Sequence, residues 1–561
     1  MKKLTRGAYA EPGTTISYKT GTWRTQRPIY THRPAPCHAA CPAGEDPQDW
    51  LAKLDEGNPR QAWESLVNAN PLPAITGRVC PHPCESACNR GQFDQALAIH
   101  SVERYLGDLA IEHNWPYPAE RPDPKAKRIA IVGAGPAGLS CAWQLTRLGL
   151  HATVFDQLSQ AGGTLHTIPG YRLPKDVVRN EIGRLLEAGI EFKPNHRIGK
   201  HIDAVDLQTD FDSVFLAPGM MQSREWNIDG VTPQDLHDGL NLLKVWMDIG
   251  ELPEMKSAAV VGGGNTAIDI ARVLRRCGVD THIVIHSGMP GPDTPPEDAM
   301  RAIPREIEQA LEEGVQIHDH HGIKRLILRG EKVTGIEMTR MRKLPDANGR
   351  LQRVAFEGTE SILHVDQVIP AIGQRVDSRG MENLIKGRSA FKVDEWGLIE
   401  GSNRVHAGGD AIEGNSGTVT EAVGNGRIAA IAIAHKLSGQ PLPAPATDKP
   451  VEYSTLNVEY FEASPRAEQP LLPVEQRAGE EEIEAGLEKS EAAHEAKRCL
   501  SCGSCMSCDN CWTLCPDSAV LMATDPAYTK SHYVFDYDYC KGCGLCAHEC
   551  PTGFIRMQIE P

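Results

Sequence analysis

The sequence predicts a multidomain chain: two Rossmann-like α/β nucleotide-binding domains at the centre, an α-helical cysteine-bearing domain before them and a small α+β domain after them. Two glycine fingerprints, each set between an apolar strand and a helix, supply the central pair. Seventeen cysteines, five between Cys37 and Cys88 and ten between Cys499 and Cys550, supply the flanking domains. A length of 561 residues allows about four domains, and 40% hydrophobic residues suffices for their cores.

Residues 1–125 show no strand-like alternation, and stretches 48–68 and 96–113 carry the apolar spacing of amphipathic helices between Pro- and Gly-rich turns. Residues 126–250 open the first α/β domain. The apolar strand 128–132 runs into Gly133-Ala-Gly135-Pro136-Ala137-Gly138 and then a helix over 139–148. Gly133 permits the tight turn, Gly135 lets the backbone approach a pyrophosphate, and Gly138 lets the helix pack against the strand. The second strand, 152–155, ends in Asp156, eighteen residues after Gly138, where an acid hydrogen-bonds a ribose hydroxyl.

Residues 251–370 repeat the pattern, with strand 258–261, the turn Gly262-Gly-Gly264-Asn265-Thr266-Ala267, helix 268–276 and strand 282–285. Two fingerprints imply two nucleotides. FAD with a nicotinamide nucleotide is the useful pair, because a hydride can pass between stacked rings. Residues 371–440 return to the first domain, with a strand that ends at Gly409-Asp410 and a helix after Gly417. Residues 441–497 are Pro-rich, then acidic, then helical, and read as a tether.

The last domain, 498–561, contains Cys505, Cys508, Cys511 and Cys515-Pro, then Cys540, Cys543, Cys546 and Cys550-Pro. This doubled spacing is that of a bacterial ferredoxin-like α+β domain with two [4Fe-4S] clusters, in which three close cysteines hold one cluster and the fourth ligates the other. Cys505, Cys508, Cys511 and Cys550 are therefore assigned to one, and Cys540, Cys543, Cys546 and Cys515 to the second. A tetrahedral zinc ribbon does not fit the doubled run. Cys141 and Cys277 lie on the Rossmann helices and read as small buried hydrophobes.

The fingerprints, together with Gly162-Gly163, the run 168–175 with Arg172, Ala217-Pro-Gly219, the run 371–374 with Gly373, and Gly409-Asp410, resemble the glutamate synthase small-subunit family of NAD(P)H-oxidising flavoproteins. The resemblance covers residues 36–440. It implies an FAD domain in two segments with the nicotinamide domain inserted between them, and Asp410 and Thr418 at the flavin ribityl and pyrophosphate. The N-terminal cysteines also resemble those of dihydropyrimidine dehydrogenase, and the C-terminal domain resembles the δ subunit of 2-oxoacid:ferredoxin oxidoreductases.

By the family pattern, Cys41, Cys84 and Cys88 with Glu103 form one N-terminal cluster site. Cys37 and Cys80 are left as half of another. The family's upstream Cys-x2-Cys pair is missing before Cys37, but Arg498-Cys499-Leu-Ser-Cys502 resembles it. Two readings stand: the chain folds back so that Cys499 and Cys502 complete a second N-terminal cluster, or one cluster stands there with extra cysteines beside it.

The function implied is an NAD(P)H:acceptor oxidoreductase that passes electrons between a nicotinamide nucleotide, FAD and [4Fe-4S] clusters. This chemistry requires no protein acid, base or nucleophile, so none is assigned. The acceptor expected is a partner redox protein or ferredoxin within a larger enzyme complex. The resemblance offers 2-oxoacid oxidoreductase, benzoyl-CoA-reductase and dissimilatory sulfite reductase systems. The competing readings are a non-catalytic iron-sulfur redox sensor or scaffold, and a glutamate synthase small subunit.

NADPH-using members of the family place Arg-Arg after the strand 282–285, whereas this chain has His286-Ser287-Gly288 and no fixed charge. NAD(H) is accordingly favoured over NADP(H), with Arg301 and Arg305 as the neighbours able to fold over the site. A net charge of −16 without a Lys/Arg-rich run argues against nucleic acid. Residues 1–7 precede no apolar leader core and no run is long enough to span a membrane, so the expected location is cytoplasmic.

Overall fold

The strand Arg128–Val132 is buried at every position but its first, so it needs cover on both faces and belongs in the middle of a sheet. A computed structural model describes residues 19–120, 122–228, 236–292, 294–330, 332–346, 349–444, 448–522 and 531–560. In it Arg128–Val132 is central among five parallel strands, with Ser213–Leu216 and then Val405–Ala407 on one side, His151–Phe155 and then Glu191–Lys193 on the other. Helix Pro136–Arg147 packs against helix Val419–Leu437 with their backbones in contact: a Cβ on Gly426 would stand 2.1 Å from the Ala137 carbonyl oxygen.

A second parallel sheet runs Gln367–Pro370, Ser257–Val261, Asp280–Val284, Gln316–His318. All its strands fall between Leu216 and Val405, so one α/β unit is inserted in the other. Between Gln316–His318 and Gln367–Pro370 the chain also builds an antiparallel sheet of His321–Arg329, Lys332–Pro345, Leu351–Ala355 and Ser361–Leu363. The fingerprints gave no sign of it.

The N-terminal region is helical, as expected, but the stretch 48–68 is two helices. Gly57, at φ +81°, turns the chain out of Pro47–Asp55, and Pro59 starts Pro59–Leu66. Trp50, Trp63, Leu66, Ile75 and Val102 fill the core beneath them. Helices Pro73–Val79 and Ile99–Glu112 touch through glycine, since a Cβ on Gly107 would lie 2.3 Å from the Ala74 nitrogen.

Two sequence readings are corrected. Residues 1–125 do contain a strand: Gln26–Tyr30 pairs antiparallel with Ile555–Ile559, and Tyr30 stacks on Phe535 and Phe554 with centroids 4.7 and 5.0 Å apart. A five-residue segment containing Pro28, whose partner is more than 500 residues away, has no local signal to read. The stretch 441–497 is not a free tether. The Ile483 N–H donates to the Tyr171 carbonyl (3.1 Å), Trp246 Nε1 donates to Glu480 (2.6 Å), and the Ala98 N–H donates to Glu495 (2.8 Å). It straps across both α/β units and the helical region before ending in helix Lys489–Lys497.

Among the described residues no helix is long and apolar enough to cross a membrane. The segment 1–7 lies outside the described residues.

Candidate functional site

The first fingerprint opens onto a cavity of about 530 Å³ lined by Gly133, Gly135, Pro136, Ala137, Asp156, Gly163, Ala217, Gly219, Gly409, Asp410 and Thr418. Gly133 sits at φ +102°, and a Cβ there would stand 2.0 Å from the Ala217 carbonyl oxygen. A Cβ on Gly138 would meet the Gly133 carbonyl oxygen at 1.9 Å. On Gly135 it would meet nothing within 4 Å. The first and third glycines are required by packing, while the second leaves open the space before the helix N-terminus where a pyrophosphate fits.

Around that opening the backbone is pinned. Asp156 accepts from the Ala134 N–H at 2.6 Å and the Leu158 N–H at 2.7 Å, and burial raises its pKa. The Gly162 N–H donates to the Ala134 carbonyl at 2.8 Å, which holds Gly163 against Gly135. Thr418 caps helix Val419–Leu437 by accepting from the Glu421 N–H at 3.3 Å. Burial, and then the charge of Glu421, raises the Asp410 pKa. Lys244 and Asp248, on helix Gly239–Ile249, also line the cavity. No sequence pattern marks them.

Arg172 does not reach this cavity. Its Nη1 stands 2.7 Å from Asp269 Oδ1 and its Nε 3.0 Å from Glu306 Oε1, all three side chains buried. It joins the two α/β units. Gly373, at φ +103°, likewise lies outside the cavity lining, and its carbonyl accepts from the Arg224 N–H at 3.0 Å.

In the second fingerprint Gly262 has φ +141°, and a Cβ would stand 2.2 Å from the Ala371 carbonyl oxygen, whereas Gly264 again faces open space. Asn265 Oδ1 accepts from the Ile303 N–H at 3.0 Å, Thr266 accepts from Gln374 at 3.4 Å, and Ala267 is buried. His286 follows the strand Asp280–Val284.

None of the seventeen cysteines is in a disulfide. In the C-terminal domain Cys505, Cys508, Cys511 and Cys550 line one small cavity, and Cys515, Cys540, Cys543 and Cys546 line another. These are the two sets read from the spacing. Near the N-terminus the chain does fold back: Cys37 is pushed well up in pKa by burial and then by Cys499, Cys88 and Cys502 around it. Burial, followed by the charge of Glu103, lifts Cys80 to about 12, and Cys84 is raised by burial and then by Glu85, Cys41 and Cys80.

The groups that stand together are thus Cys37 with Cys88, Cys499 and Cys502, and Cys41 with Cys80, Cys84 and Glu103. The expected grouping had Cys80 and Cys88 exchanged. The reason is local. Helix Pro83–Ser86 stops before completing the turn that would keep Cys88 on the face of Cys84. Glu103 is buried, with Asn70 Nδ2 donating to it at 3.0 Å; the same amide donates to the buried Glu45 at 2.8 Å, an acid the sequence reading missed. Burial raises both carboxyl pKa values.

Among the described residues no three Cys, His, Asp or Glu side chains converge tightly enough to hold a single metal ion. Thiols gathered under burial favour the neutral form, so a cationic centre that takes thiolates would relieve both penalties. Several are also met by N–H donors, including His82 to Cys80 (3.3 Å) and Ala519 to Cys515 (3.2 Å), the contacts that tune an iron-sulfur potential. Of the two interior cysteines Cys141 is buried as expected. Cys277 is exposed, because it falls at the C-cap of its helix.

Residues 127–426 match the pyridine nucleotide-disulphide oxidoreductase family. The chain belongs to that family. Residues 12–115 match dihydropyrimidine dehydrogenase domain II with its 4Fe-4S cluster, and residues 504–554 match the 4Fe-4S dicluster domain. The chain is 31% identical over 541 residues to the beta subunit of the NADP(+)-dependent formate dehydrogenase of Moorella thermoacetica, covering 88% of this chain and 73% of that one. It is 31% identical over 540 residues to the beta subunit of the NADPH-Fe(3+) oxidoreductase of Geobacter sulfurreducens, covering 87% and 78%. The glutamate synthase [NADPH] small chain of Escherichia coli is 34% identical over 426 residues, covering 70% and 87%.

This pyridine nucleotide-disulphide oxidoreductase is an NAD(P)H-dependent iron-sulfur flavoprotein. The expectation of NAD(H) over NADP(H) finds no support in these relatives, which are named for NADP(+) or NADPH.

Proposed function

We propose that the chain relays electrons between a nicotinamide nucleotide on the second fingerprint, FAD on the first, and four [4Fe-4S] clusters, ending at a partner redox protein docked on the C-terminal domain. When bound, FAD exchanges a hydride with the nicotinamide and single electrons with clusters. The observation that carries the reading is the continuity of the cysteine sets. Thr420, in the first turn of the helix whose N-cap lines the flavin cavity, stands beside Cys80. The set of Cys41, Cys80 and Cys84 lies next to that of Cys37 and Cys88, and the latter is completed by Cys499 and Cys502, three residues before Cys505.

The protein's own residues act by placement. Gly133, Gly135 and Gly138 admit the FAD pyrophosphate, Asp156, Asp410 and Thr418 face its sugar and ribityl chain, and Gly262, Gly264 and Ala267 admit the second nucleotide. Cys41, Cys80 and Cys84 with Glu103 hold one cluster, and Cys37, Cys88, Cys499 and Cys502 hold the next. For the nucleotide we take NADP(H), on the charges described below.

Two relatives that cover 87–88% of the chain are named as beta subunits, whereas the glutamate synthase small chain covers only 70% of it. This favours a partner enzyme served through the ferredoxin-like domain over glutamate synthase. Anaerobically purified protein is expected to hold one FAD and about sixteen irons, and to reduce a viologen dye with a nicotinamide nucleotide. About eight irons, or a flavin that no nicotinamide nucleotide reduces, would refute the relay. Anaerobic purification with identification of co-purifying proteins tests the partner.

A further inference from the structure

In a dinucleotide-binding fold the adenosine ribose lies at the end of the second strand, and an arginine nearby accommodates a 2′-phosphate. Here that strand, Asp280–Val284, ends in His286-Ser287-Gly288, without a charge. The charge arrives from the antiparallel extension. Strands Lys332–Pro345 and Leu351–Ala355 set Lys343 directly opposite Arg353, and both cations stand beside His286 together with Asp298; burial and then Arg353 depress the His286 pKa to about 4 against the pull of Asp298.

The contacts around this point are closely knit. The Gly288 N–H donates to the Asp298 carbonyl at 2.9 Å and the Met300 N–H to the Gly288 carbonyl at 2.9 Å, so segment 298–300 is zipped to the strand end. Lys343 Nζ lies 3.5 Å from Asp298 Oδ1 and donates to the Glu297 carbonyl. The Arg301 N–H donates to the Gly263 carbonyl at 3.1 Å, which seats Arg301 over the glycine turn. On the far side Asp319 accepts from the Met289 N–H at 3.2 Å.

Lys343 already neutralises Asp298. Asp298 attracts Arg353 and Arg301 repels it, but among the described residues neither arginine has a carboxylate within ion-pair distance. Three cations, Lys343, Arg353 and Arg301, thus gather beside an open glycine turn around the single carboxylate of Asp298, a surplus of positive charge suited to an anion.

We propose that Arg353, with Lys343 and Arg301, grips the 2′-phosphate of NADP(H), in place of the arginines absent after the strand. This deepens the proposed function and rests on its nicotinamide site. Titration calorimetry of the anaerobic, FAD-loaded full chain with 2′,5′-ADP and with 5′-ADP tests it. The wild type should bind 2′,5′-ADP at least about tenfold more tightly, a gap that Arg353→Ala largely closes without changing 5′-ADP affinity and Arg353→Lys partly keeps. Equal affinity of the wild type for both would overturn the phosphate site. A gap that survives Arg353→Ala and Lys343→Ala would overturn these residues as its source. Failure of either nucleotide to bind, with a flavin that neither NADH nor NADPH reduces, would instead refute the nicotinamide reading itself.

Discussion

Glu181 caps a helix to which it does not belong: its carboxylate oxygens accept from the Ala74 N–H at 2.8 Å and the Ile75 N–H at 3.0 Å, at the start of Pro73–Val79. The acid lies on helix Lys175–Leu186 of the flavin-binding unit, so it locks that unit to the helical domain.

Burial raises the Glu181 pKa to about 8, against the opposing pull of its two N–H partners. A folded pKa above the unfolded value of about 4.3 means that the stabilising proton is fully held at low pH and lost as pH rises through about 8. Apparent thermal stability should therefore fall between about pH 5 and pH 8, and Glu181→Gln should flatten that slope. Parallel pH profiles of unfolding temperature for the two proteins would count against this.

Removing Cys499 and Cys502 together, as serines, should cost about four of sixteen irons and leave the spectroscopic signature of the C-terminal pair intact. An unchanged iron content would show that these two residues are not ligands.

Arg172→Ala should leave flavin content unchanged, because the guanidinium is committed to Asp269 and Glu306 and stays outside the cavity. Asp269 would be stranded in the interior, while Glu306 keeps Arg272, at a cost of about 3–5 kcal/mol. Loss of FAD at unchanged unfolding temperature would place Arg172 back at the flavin.

The two glycines of the first turn should fail differently. Gly133→Ala meets both a positive φ and a carbonyl 2.0 Å away, and is expected to abolish soluble folded protein. Gly135→Val adds atoms only to open space, so the chain should fold but lose its flavin, read as FAD released on denaturation. Equal flavin retention in the valine variant would show that the pyrophosphate lies elsewhere.

What could be read from the sequence was local. Gly133, Gly135 and Gly138 announce themselves because turn, approach and packing all fall within six residues. The C-terminal cysteines do so because a rigid spacing fixes their sharing. Cys80 and Cys88 have other neighbours than the family pattern leads one to expect, because their partition depends on where a four-residue helix stops. Arg172 was misread because its partners belong to another unit, and Arg353 was passed over because only strand pairing brings it to His286. Glu45 had no visible role until Asn70 joined it to Glu103.

The pairing of Gln26–Tyr30 with Ile555–Ile559 bears on biogenesis. Domains commonly fold in the order in which they leave the ribosome, but Gln26–Tyr30, the first strand among the described residues, has no strand partner until residue 555 has been made. That strand pairing can form only after more than 500 further residues have been synthesised. The same pairing holds the ferredoxin-like domain at both ends, so it cannot swing on a lanyard between donor and acceptor. On the proposed relay, an electron acceptor would have to travel to it.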